Sequence, residues 1–201
     1  MSAPAPSIDR PRRGRPRAFD IDRALDAART MFLTRGYDRV TLADLTGAMG
    51  INPPSFYAAF GNKAMLFARI ADAYARDWTE EVRDALSSEL PLDDRLANVL
   101  ACSARRFAPQ GEASSGGCML LEAANNCSDA VVSAYVRKLR LGIAAALYRG
   151  VSRSAPEHAV IATDQMMTLL AGLSAMAREG TDAARLDAIA RGLSLRLGTA
   201  P

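Results

Sequence analysis

Between Thr41 and Lys63 the chain reads TLADLTGAMGINPPSFYAAFGNK, and this segment restricts the fold more than any other. Helix formers fill both halves, yet Gly50, Asn52, Pro53 and Gly61 punctuate them so closely that neither half exceeds about two turns. Thr41 starts the first short helix, with Asp44 three residues on as a capping box, and Leu42 and Leu45 face inward. Met49-Gly50 ends it. Asn52 caps the second, Pro53 occupies its first position, where a missing N–H costs nothing, and Phe56 and Phe60 point inward. Two helices joined by so tight a turn form a helix-turn-helix, which can place the start of its second helix in a DNA major groove. The positions then facing base edges are Asn52, Pro53, Pro54 and Ser55, with Tyr57 on the outer face. Thr41 and Lys63 flank the unit, where a helix N-terminus and an ammonium group suit phosphates.

Charge supports a polyanionic partner at this end. Residues 1–70 hold 11 Lys and Arg against 6 Asp and Glu, whereas residues 71–201 hold 14 against 16. Much of the excess lies in RPRRGRPR, residues 10–17, where no core can form. Arg13-Gly14-Arg15-Pro16 resembles the core of an AT-hook: an extended Arg-Gly-Arg fits a narrow, electronegative minor groove, and Arg17 continues the arm. A nonspecific electrostatic tail is the alternative reading. Residues 1–9 are small, polar and Pro-containing, and are expected to be disordered.

The rest of the chain predicts an all-α fold of about nine helices. Ala, Leu and Arg dominate, and no strand-like alternation is long enough to trust. A first helix is expected from Asp20 to Arg35, with Ile21, Ala24, Leu25, Ala28 and Phe32 on one face and Gly36 at its end. A fourth begins near Lys63, a fifth follows Pro91, and a turn-rich loop spans 109–117. A short helix over 118–125 precedes a longer one capped by Ser128, with Val131, Val132 and Tyr135 among its inward residues. The helix from Pro156 to Glu179 is apolar on more than one face, and the last helix follows Asp182. The expected division is a basic arm at 1–18, a helix-turn-helix domain at 19–62 and a larger helical domain at 63–201.

FDIDRALDAARTMFLTRGYDRVTLADLTGAMGINPPSFYAAFGNKAML, from Phe19 to Leu66, resembles the TetR family of regulators. The resemblance rests on Gly-Tyr after an amphipathic helix, a Thr-headed helix, Gly-Ile-Asn, and Ser-Phe-Tyr-x-x-Phe-x-x-Lys. It implies a homodimer with a three-helix DNA head and an all-α domain for ligand and dimerisation. It also implies phosphate contacts at Thr41, Tyr57 and Lys63 and base contacts from 52–55. The pair Pro53-Pro54 departs from positions that are often basic or small in the family. Prolines donate no hydrogen bonds, so readout there is apolar, against thymine methyls, or the prolines only stiffen the helix start.

The resemblance implies a repressor of a palindromic operator on double-stranded DNA, released by a small-molecule or thiol-reactive effector. A nonspecific architectural DNA binder is the alternative. Dimerisation is expected through the last two helices, about 157–197, whose small residues Ala171, Gly172, Ala175 and Gly192 permit close approach. Trp78, Phe107, Cys118, Met119, Tyr135 and Met166 are the candidate lining of a ligand pocket, and Arg105 and Arg106 either meet an anion or face solvent. Gly116-Gly117-Cys118-Met119-Leu120-Leu121 resembles a segment of one branch of the family. Cys118 at a helix start is either a sensor thiol with lowered pKa or a small buried hydrophobe.

Other classes find little support. Cys102, Cys118 and Cys127 are too few for a disulfide framework, and with a single His158 they offer no zinc pattern. No Ser-His-Asp set or phosphate-binding glycine loop is present, so neither an enzyme nor a cofactor is expected. No secretory signal is seen and no segment is expected to span a membrane, which predicts a cytoplasmic protein.

Overall fold

The computed structural model describes residues 20–109 and 116–192, and these form nine α-helices and no strand. They are α1 (Ile21–Arg35), α2 (Leu42–Met49), α3 (Pro53–Phe60), α4 (Lys63–Ser87), α5 (Leu92–Phe107), α6 (Met119–Asn126), α7 (Ala130–Ser152), α8 (Ala159–Arg178) and α9 (Ala183–Gly192). A single 3-10 turn, Pro156–His158, leads into α8.

Local chemistry sets most of the boundaries. Asp20 Oδ1 accepts from the backbone N–H groups of Asp22 and Arg23, both at 3.1 Å, and so opens α1. Gly50 closes α2 at φ 66°, ψ 32°, a left-handed conformation that costs glycine little. The cap of α7 is Asp129 and not Ser128. Its carboxylate accepts from the N–H groups of Val131 and Val132 (3.0 and 3.2 Å). Ser128 is drawn elsewhere: its N–H and hydroxyl both donate to Asp38, at 2.8 and 3.0 Å. Helix α7 buries Val132, Val136, Ile143 and Leu147, whereas Val131, expected inward, is 77% exposed. Ile21 also lies outside the core, at 42% exposure.

One continuous core runs through the described residues. Its head end is built by Ala24, Ala28 and Phe32 of α1, Leu45 of α2, and Phe56 and Phe60 of α3. Helix α4 joins this end to the rest: Leu66 and Phe67 sit beneath the head, while Tyr74, Trp78, Val82 and Leu86 pack against α5 and α7. Phe67 meets Phe32 and Tyr37 edge-on, each with ring centroids 5.0 Å apart. At the far end α7 lies so close that a Cβ on Gly150 would strike Leu86. Helices α8 and α9 complete the body against α5.

The segment Pro156–Arg178 stands out for its length and apolar character. By length and composition alone it could cross a membrane. Here it is a packed helix. Ala162, Met166, Leu170, Leu173 and Ala177 form a buried stripe, and Asp164, Gln165 and Thr168 lie on the exposed side. Val160 and Ile161 are also exposed, at 60% and 62%, so α8 carries a second apolar surface facing outward.

Candidate nucleic-acid interface

Helix α2 opens on a complete capping box. Thr41 Oγ1 accepts from Asp44 N–H at 3.1 Å, and the Asp44 carboxylate accepts from Thr41 N–H at 2.8 Å and from the Thr41 hydroxyl at 2.7 Å. Arg35 adds an ion pair at 3.0 Å. The Thr41 N–H, its hydroxyl and then Arg35 hold the Asp44 pKa at about 2, so its charge is fixed. The Thr41 hydroxyl must therefore exchange Asp44 for a phosphate if it is to contact DNA. Arg35, which the residue pattern does not single out, stands beside it and donates to Arg39 C=O at 2.8 Å. A basic residue in the last turn of a helix gives no sign that it borders the start of another; only packing shows it.

Helix α3 presents two contrasting faces. Phe56 is fully buried and Phe60 nearly so, and they anchor the helix. Asn52, Pro53, Pro54 and Ser55 are exposed, as is Tyr57 at 52%. The helix start has few donors left. Pro53 and Pro54 have no N–H, Ser55 N–H goes to Asn52 Oδ1 at 2.9 Å, and Phe56 N–H goes to Asn52 C=O at 3.1 Å. The polar reach of this face is thus the Asn52 amide nitrogen, the Ser55 hydroxyl and the Tyr57 hydroxyl, around a proline surface. That surface suits thymine methyls better than guanine, whose major-groove edge asks for donors.

Lys63 is half-buried and turned toward the protein. Its ammonium donates to the carbonyls of Tyr37 (3.2 Å) and Val40 (3.0 Å) and lies 4.0 Å from the Tyr37 ring centroid. It fixes the α1–α2 turn and leaves one N–H direction for other contacts. The same turn is tied to the body. Tyr37 hydroxyl donates to Asp129 at 3.3 Å, and Asp38 accepts both donors of Ser128. Burial and the Asp129 charge push the Tyr37 pKa up, while the Ser128 N–H holds Asp38 down. The arm residues Arg13, Arg15 and Arg17 lie outside the described residues.

The residues expected to line a ligand pocket fall differently. Trp78, Phe107, Cys118, Met119 and Met166 are at most 1% exposed and sit in the closed core. Trp78 Nε1 donates to Ser103 Oγ at 3.0 Å, and its ring meets Phe107 edge-on at 5.3 Å. Cys118 does stand at the α6 N-terminus, with the N–H groups of Leu120 and Leu121 directed at it, but complete burial outweighs them and pushes its pKa up. Of the two readings of Cys118, its surroundings suit the small buried hydrophobe. Cys102 and Cys127 are raised by burial as well. Only Tyr135 borders open space, a groove of about 550 Å³ between α4 and α7, where its hydroxyl donates to Asp72 at 2.6 Å. A cavity of about 750 Å³ lies instead between α1, α4 and α5, lined by Tyr74, Arg105 and Arg106 among others. Among the described residues no three His, Cys, Asp or Glu side chains are grouped to hold a metal ion.

Residues 24–70 match the family model for bacterial regulatory proteins of the tetR family. The HTH-type transcriptional repressor BdcR of Escherichia coli (strain K12) is 37% identical over 177 residues, which is 88% of each chain. The repressor ComR of the same organism is 31% identical over 193 residues, covering 92% of this chain and 91% of its own. Among solved structures, a cysteine mutant of the TetR family transcriptional regulator CifR, complexed with 26-bp double-strand operator DNA, is 30% identical with a TM-score of 0.70. The match covers 89% of this chain and 97% of that one.

Proposed function

Because this chain belongs to the TetR family of bacterial regulatory proteins, we propose that it is a cytoplasmic, non-enzymatic transcriptional repressor. As a homodimer it binds a palindromic operator and is released by a small-molecule or thiol-reactive effector. What carries this reading is α3, an eight-residue helix anchored by two buried phenylalanines with every residue from Asn52 to Ser55 exposed. Such a helix is too short to be stable alone and has no buried partner on its outer face, so its shape is supplied by the head and its surface is free for a groove. The names of the two relatives and the operator DNA in the CifR complex support the same reading.

Residues 19–62 form the DNA head and 63–201 the body, with Lys63 as the clamp between them. In the complex Thr41, Tyr57 and Lys63 meet phosphates, joined by Arg35. Asn52, Ser55 and the prolines meet base edges. One short helix reads few bases, so two heads are needed, spaced about one helical turn of DNA, 34 Å. The exposed apolar face of α8, with Val160, Ile161 and the half-buried Leu169, supplies the dimer surface together with α9. Gly172 is exposed and a Cβ there would meet nothing within 4 Å, which leaves room for a partner helix.

The arm adds minor-groove contacts. Replacing Arg13 and Arg15 by alanine is expected to weaken binding and to flatten the log K against log salt slope by about 0.9 for each phosphate left without its arginine. Titration of labelled operator at several salt concentrations measures it, and an unchanged slope removes the arm from the interface. Selection of bound sequences from random DNA tests the function itself: a regulator enriches one palindrome, whereas an architectural binder enriches none.

A further inference from the structure

The turn between α1 and α2 meets the loop before α7, and polar contacts join head to body there. Asp38 accepts from the Ser128 N–H at 2.8 Å and from its hydroxyl at 3.0 Å. Asp129 divides its carboxylate. Its Oδ1 accepts from the first N–H groups of α7, and its Oδ2 accepts from the Tyr37 hydroxyl at 3.3 Å. The residue that starts α7 therefore also holds the head. A second tie comes from α8, the helix proposed above to carry the dimer surface. Arg178, in its last turn, donates to the Leu33 carbonyl at 3.2 Å and lies 3.9 Å from Glu122 of α6. Leu33 is in the last turn of α1, whose carbonyls have no helical partner, so a side chain of the body caps a helix of the head.

These ties differ in kind from the apolar contact beneath the head. Phe32 and Tyr37 rest edge-on against Phe67 of α4, and burial of that kind is non-directional: it holds the head on the body but tolerates a small turn. Lys63, a rotatable ammonium on a flexible stem, can follow the Tyr37 and Val40 carbonyls through such a turn. The bonds to Ser128 and Asp129 cannot. A shift of the α1–α2 turn by about 1 Å away from the loop takes all three beyond hydrogen-bonding distance. DNA makes this angle matter, because one base pair added between two half-sites moves the second by about 3.4 Å and turns it by about 35°. We propose that Tyr37, Asp38, Ser128 and Asp129 form a latch that fixes the pitch of the DNA head, so that the dimer accepts a single half-site spacing. They are positioning residues, acting through the orientation of α3 and not by contact with DNA. The inference rests on the reading of the chain as a dimeric regulator of a palindrome and assigns the residues that set its spacing.

Three full-length proteins test it: the parent, Tyr37→Phe/Asp38→Ala, which removes all three bonds, and Asp38→Asn, which keeps one acceptor for the Ser128 N–H. Each is titrated by gel shift at one salt concentration against the selected palindrome, against versions with one base pair added or removed at its centre, against a single half-site and against a scrambled duplex. The parent is expected to bind its own spacing at least about 30-fold more tightly than either altered one. An altered spacing costs the parent its latch, and the double variant has none to lose, so its ratio should be about tenfold smaller, with Asp38→Asn between the two. Loss of the Asp38 charge strengthens binding to every duplex alike and cancels in the ratio. The single half-site should be bound no more weakly than by the parent, which shows an intact head. Asp38→Asn, a single exposed substitution, carries the comparison if the double variant melts below the parent. Equal spacing ratios in parent and variants overturn the proposal, as does an equal loss of affinity at every spacing and at the half-site, the mark of a merely structural role. A parent that prefers the palindrome but accepts all three spacings equally removes the latch alone. A parent that binds the palindrome and the scrambled duplex alike removes the regulator reading, and the latch with it.

Discussion

Phe56→Ala is expected to abolish operator binding while leaving the body folded. Phe56 is fully buried at the centre of the head, its ring 5.5 Å from that of Phe60. Truncation of a buried phenylalanine costs about 3–5 kcal/mol, and a head of some 45 residues has little stability to spare. Helix α3 has eight residues and depends on this anchor for its place. Operator affinity should therefore fall by at least about 100-fold, the equivalent of losing some 3 kcal/mol. Trp78, the single tryptophan, reports on the body alone, and its fluorescence should stay native. Unchanged affinity in a gel-shift titration would mean that α3 is held by something other than its buried face.

Trp78→Ala is expected to destabilise the body by about 3–5 kcal/mol, lowering the thermal midpoint by roughly 10 °C for a chain of this size. The side chain is sealed between α4 and α5, edge-on to Phe107 at 5.3 Å and 6.3 Å from Tyr74. No neighbour can fill the space left by an indole. Its removal also strips Ser103 of the donor at 3.0 Å, leaving that buried hydroxyl to find another partner. Trp78→Phe separates the two effects, because it restores much of the volume but not the N–H, and a deficit of about 1 kcal/mol should remain. Circular dichroism melts of the three proteins give the comparison. A midpoint for Trp78→Ala within a degree or two of the parent would show that the α4–α5 contact carries little of the stability.

The parts of the fold that depend on neighbours along the chain are legible in the amino-acid order alone. Asp20, Thr41 and Asn52 cap the expected helices because a side-chain oxygen two or three residues before an N–H is local geometry. The buried and exposed faces of α3 follow from helical spacing in the same way. Legibility fails where a distant partner competes. Ser128 has the chemistry of a cap for α7, but Asp38, ninety residues away, claims both its donors and passes the cap to Asp129. Lys63 has the chemistry of a free phosphate ligand, and the Tyr37 and Val40 carbonyls occupy two of its three donor directions. The pocket is least legible. Large apolar residues such as Trp78 and Met166 look the same in sequence whether they line a cavity or fill one. Here they fill the core, and the open volume lies at the seam between α1, α4 and α5, a feature of how helices meet and not of any one helix.

The Cys118 thiol shows how two local rules can collide. A helix N-terminus favours thiolate, and a closed apolar site disfavours it. Sequence shows the first and conceals the second. In the fold Cys118 N–H also donates to Ser174 at 2.8 Å, which fixes the start of α6 against α8. That geometry makes the residue part of the core, as small free cysteines often are.

If two copies of this chain read one DNA sequence through α3, the operator must be told apart from other DNA of equal charge. Equilibrium binding of the full-length protein to its selected palindrome and to a scrambled duplex of the same length and composition, at one fixed salt concentration, measures that difference. The palindrome should bind at least about 10³-fold more tightly, with a stoichiometry of two chains per site; Ser55→Ala should erode that ratio, whereas Tyr57→Ala should weaken both duplexes alike. Equal affinity for the two duplexes would leave only a basic chain that grips DNA without reading it.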